Sequence, residues 1–180
     1  YVGGILDREL FGPQEDRRTV EGAGLPELNL SGSAYGQTMP VVWGRMRVPA
    51  NIIWVRGIRE VVRTETETVG GGGKGGGGGG TTVTNVSYHY YADVAVGLCA
   101  GPIAGVSRVF ADGNAFEDDK VGDMRVYLGN EAQEPDPLIQ AVEGVDRTPA
   151  YRGLAYVMME RLYITPFGNR LPNLTFEVET

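Results

Sequence analysis

The residue types that carry most enzyme chemistry are scarce in this chain. There is one histidine, His89, and one cysteine, Cys99, among 180 residues. A lone cysteine excludes an intrachain disulfide, and one His with one Cys falls short of the roughly four such ligands a structural zinc site requires. His89 lies amid tyrosines in an alternating segment with no nucleophile marked nearby, so it reads as structural. Cys99, between Leu98 and Ala100, reads as a small buried hydrophobe.

Two other groupings invite a chemical reading. The glycine run from Gly70 to Gly80 is broken only by Lys74. A phosphate-binding loop needs Ser or Thr after the lysine and a helix start beyond it. Here Gly75 follows Lys74 and the chain continues into Thr81-Thr82-Val83-Thr84, so Gly70, Lys74 and Gly80 mark a flexible hairpin tip. Asp112, Asn114, Asp118, Asp119 and Asp123 are acidic enough for calcium, but Phe116 falls at a ligand position and Glu117 at the obligatory glycine. They read as an acidic turn. With 23 acidic residues, a glycosidase-like carboxylate pair always exists somewhere, and no local sequence singles one out. The expectation is no enzyme activity, no cofactor and no metal.

The elements that position these residues are mostly strands. Pro40 and Pro49 bracket Val41–Val48 as a strand. Asn51–Thr68 and Thr81–Leu98 flank the glycine run and form a long antiparallel hairpin. Within it Thr64-Glu65-Thr66-Glu67-Thr68 alternates with period two, which puts Glu65 and Glu67 on one face and the threonines on the other. Tyr88 and Tyr90 belong to the core-facing set. Ile103–Phe110 reads as a strand ended by a tight Asp112-Gly113 turn. Met124–Leu128, Gly153–Ile164 and Leu174–Val178 are further strands. One helix is signalled: Asp136 at the N-cap, Pro137 in the first turn, Gly144 at the stop, and a stripe of Leu138 and Val142. The fold class is mainly β (α+β), with an extended N-terminal arm over 1–38 and a β-rich domain over 39–180. That domain carries its hairpin insertion around 64–84. The arm has too little apolar content to fold alone and is expected to lie on other elements.

The formal net charge is −7, with 42% hydrophobic and 22% charged residues. That is a globular balance whose charge disfavours stable nucleic-acid binding. No segment is long and apolar enough to span a bilayer as a helix. The sequence reads as part of a longer polypeptide.

Several segments together carry a resemblance. Ser33-Ala34-Tyr35-Gly36-Gln37-Thr38-Met39-Pro40-Val41-Val42-Trp43-Gly44, followed by Asn51-Ile52-Ile53-Trp54, resembles the start of the tail-tip (baseplate) hub proteins of long-tailed bacteriophages and gene transfer agents. Cys99-Ala100-Gly101-Pro102-Ile103-Ala104-Gly105, Tyr127-Leu128-Gly129-Asn130, Tyr151-Arg152-Gly153-Leu154 and Phe167-Gly168-Asn169-Arg170-Leu171-Pro172-Asn173 are similar to later segments of that family, in the same order. The resemblance implies a tube-like β-barrel or sheet hub domain and a homotrimeric ring that joins the tail tube to the tip. Its partners would be the distal tail or tail tube protein and other tail-tip proteins. Genomic DNA would be met only in transit, and the host envelope indirectly. The location would be the distal end of the tail in the virion, with the host cytoplasm during assembly. On that reading Glu65 and Glu67 line the lumen, where acidic side chains repel phosphate. The competing readings are a receptor- or carbohydrate-binding tail-tip module, with Tyr88, Tyr90 and Tyr91 as stacking residues, and a cell-wall hydrolase.

Overall fold

The computed structural model describes residues 18–21, 38–69, 81–116, 118–168 and 170–180. The chain divides into two compact units. Among the described residues the first comprises 18–21, 61–69 and 81–89, and the second 38–60, 90–116, 118–168 and 170–180.

Among the described residues nine strands and two short α-helices are formed. The strands are β1 (Arg18–Glu21), β2 (Arg45–Pro49), β3 (Asn51–Val69), β4 (Thr81–Ala100), β5 (Gly105–Ala111), β6 (Asn114–Ala115), β7 (Asp123–Tyr127), β8 (Leu154–Tyr163) and β9 (Leu174–Glu179). The helices are α1 (Asp118–Val121) and α2 (Pro137–Glu143). They make two sheets, one ordered β1-β4-β8-β7 with β3 also on β4, the other ordered β2-β9-β5-β6. The class is mainly β, as the alternation implies. Of the two forms the resemblance implied, barrel or sheet, the described residues form open sheets and no closed barrel.

In the first unit β1 runs parallel to β4, Arg18 opposite Val83 and Glu21 opposite Val86. The Ser87 hydroxyl donates to the Arg63 carbonyl across the β3–β4 pair. In the second unit the same two strands meet at Glu60 with Tyr90 and at Ile53 with Gly97. Numbers fall along β3 as they rise along β4, so the two strands pair antiparallel, as the sequence predicts.

The core of the second unit is built on β4 and β8. Residues 92–99 of β4 are buried without interruption, because both faces of this central strand are covered. Ala95, Ile139, Tyr156 and Met158 form one buried cluster, with Ile53, Trp54 and Leu154 packed against it. Strand β9 keeps strict alternation: Leu174, Phe176 and Val178 are buried between half-buried neighbours, the pattern of a sheet with one covered face.

Four local expectations are corrected. The strand expected over Val41–Val48 begins only at Arg45, because Gly44 takes a positive φ of 73° that ends extended structure before it. Helix α2 has the expected cap at Asp136, but its buried residue is Ile139 while Val142 is 43% exposed. The acidic segment at Asp118 folds as a helical turn, so α2 is not the single helix. Of the two tyrosines placed in the core, Tyr90 is buried and Tyr88 only half-buried.

Candidate functional site

The most heavily bonded side chain in the second unit is Asp136. It is fully buried. Oδ1 accepts from the Leu138 and Ile139 amides at 2.8 and 3.2 Å, capping α2. Arg125 on β7 grips both oxygens, Nε at 2.8 Å and NH2 at 3.1 Å, and the Tyr127 hydroxyl donates at 2.8 Å. Arg125 also reaches Glu160 on β8 at 3.1 Å. Burial pushes the Asp136 carboxyl up, but the bonds from Arg125, Tyr127 and the Ile139 amide outweigh it and hold it below the usual range. Burial, then the bond to Asp136, pushes the Tyr127 phenol up to about 12. A carboxylate this saturated has no lone pair left for a substrate. Its work is to fasten α2 onto β7 and β8.

Gln133 does the same for the connection before α2. Its Oε1 accepts from the Gly129 amide at 2.7 Å, and its Nε2 donates to the Ala150 and Tyr151 carbonyls at 2.8 and 3.0 Å. Beside it Gly101 and Gly129 touch backbone to backbone: a Cβ on Gly101 would lie 2.6 Å from the Gly129 Cα. The Gly153 amide donates to the Gly129 carbonyl, and the Gly101 amide to the Gly153 carbonyl. Three glycines from separate segments of the hub-like pattern thus meet at one point.

Asp93 sits where β4 loses register with β8. It accepts from the Arg161 amide at 2.8 Å and from Arg59 at 3.2 Å, which accounts for a buried carboxylate without a catalytic role. Among the described residues no three His, Cys, Asp or Glu side chains gather as a metal site. Cys99 is fully buried and burial pushes its thiol up. His89, half-buried on β4, has its Nε2 3.3 Å from the Ser87 hydroxyl.

The surface holds a different feature. Met39, Val41, Trp43 and Met46 are 49, 57, 82 and 52% exposed within eight residues. Two of them, Met39 and Met46, line an apolar groove of about 390 Å³. Pro40, Val48, Ile53, Leu98 and Leu154 also line it, beside Gly97, which adds no side chain. Sequence reasoning placed Trp43 inside a strand and missed the groove. The available signal was Gly44, a strand breaker beside an aromatic residue.

Glu65 and Glu67 lie on β3 and are exposed, but so are Thr64 and Thr66. The alternation therefore does not by itself separate two environments. Gly70, Lys74 and Gly80 lie outside the described residues. Of the candidate sugar-stacking tyrosines, Tyr90 is buried with its hydroxyl on Glu60 at 2.9 Å, and Tyr91 packs on Tyr163 with ring centroids 5.4 Å apart.

No protein-family model and no curated protein matches the sequence. Among solved structures the chain is similar to a polypeptide described as "Virion of native gene transfer agent (GTA) particle", with 40% identity and a TM-score of 0.59. The match covers 93% of this chain and 31% of that one, so the chain spans about a third of the polypeptide it resembles. Identity at that level over nearly the whole chain, with the fold shared, supports a structural protein of phage or gene-transfer-agent type.

Proposed function

We propose that this chain is a structural component of a virion, and that within the particle it forms part of the tail-tip hub. The observation that carries the reading is the 40% identity over 93% of the chain to a gene-transfer-agent virion polypeptide. The chemistry agrees with it. Asp136, Asp93 and Gln133 spend their polar groups on holding strands and a helix together. The finer assignment rests on the ordered hub-like segments, three of whose glycines converge in the fold.

In this role three copies form a ring on the tail axis, below the tube and around the DNA path, with Glu65 and Glu67 facing the channel. Phosphate is repelled by an acidic wall, so DNA passes without being held. Reconstruction of intact particles tests the assignment: density for this chain belongs in a three-fold ring on the axis, and a peripheral position at the tip overturns it. Glu65→Lys with Glu67→Lys tests the lumenal placement. Ejection slows at low salt and recovers as salt screens the attraction; unchanged kinetics at low salt place the two residues elsewhere.

A further inference from the structure

No further inference is drawn: the strongest candidate, the apolar groove beside β2 lined by Met39, Pro40, Met46 and Val48, is an apolar face of the described residues, and nothing in the structure shows what covers it.

Discussion

Asp136 and Trp43 belong to the same unit and are opposites in how they are satisfied. Around Asp136 the chain supplies both sides of each contact: two oxygens take five hydrogen bonds from Arg125, Tyr127 and the α2 amides. Around Trp43 four large apolar side chains stay exposed among the described residues. A region that closes on itself needs nothing further for its stability, and a run of exposed large apolar side chains is a surface suited to contact with something else. Stability and assembly are therefore separable by mutation, and the predictions below are ranked by their effect on the isolated chain.

The largest effect is at Asp136. Asp136→Ala removes the α2 cap and leaves Arg125 and Tyr127 facing an empty site, at a cost of about 3–5 kcal/mol in chemical denaturation. A loss below about 1 kcal/mol breaks the claim that this region is complete in itself. Next is the helix face. Ile139→Ala costs about 2–4 kcal/mol because Ile139 is fully buried against Tyr156 and Met158. Val142→Ala, at an exposed position, stays within about 0.5 kcal/mol. Equal effects at the two positions contradict the packing described.

The pH dependence sharpens the same contrast. The Asp136 carboxyl is held below its ordinary value in the folded chain. The stability it contributes is therefore complete above the unfolded carboxylate value, about 3.9, and is lost as pH falls through the lower folded value. Asp136→Asn should flatten that acid limb. Tyr127 runs the other way: pushed up to about 12, it contributes stability that is complete below about 10 and disappears as pH rises through the folded value. Ultraviolet titration of the wild type against Tyr127→Phe reads that step.

What the sequence made legible was local. The α2 cap, the Asp112-Gly113 turn and the β3–β4 pairing each follow from residues near one another, and Asp112 and Gly113 do adopt φ of 48° and 89°. Strand partnership was not legible. Nothing within Leu174–Glu179 says that it lies between β2 and β5, since both partners lie more than sixty residues earlier in the chain. The choice of Val142 over Ile139 failed because seven residues make barely two helical turns, too few to fix which side faces inward. The groove was hidden for a different reason. Apolar type at Trp43 and Met46 predicts burial, and among the described residues that burial is not provided.

The smallest effect on the isolated chain belongs to Trp43, and it carries the comparison furthest. With 82% of the residue exposed, little apolar area returns to water when it is truncated. Trp43→Ala is therefore expected to change stability by no more than about 0.5 kcal/mol, despite tryptophan being the largest side chain in the protein. The indole fluorescence it contributes should lie at the red, solvent-exposed end of the isolated chain's emission. Trp54, half-buried with its Nε1 on Glu143 at 2.9 Å, supplies the internal reference. In assembled particles the position of Trp43 emission shifts to the blue if the open region is covered there. A destabilisation of about 2 kcal/mol or more in the isolated chain would instead place Trp43 among the residues that hold the fold, and the distinction between a closed and an open region would fail at the residue that shows it best.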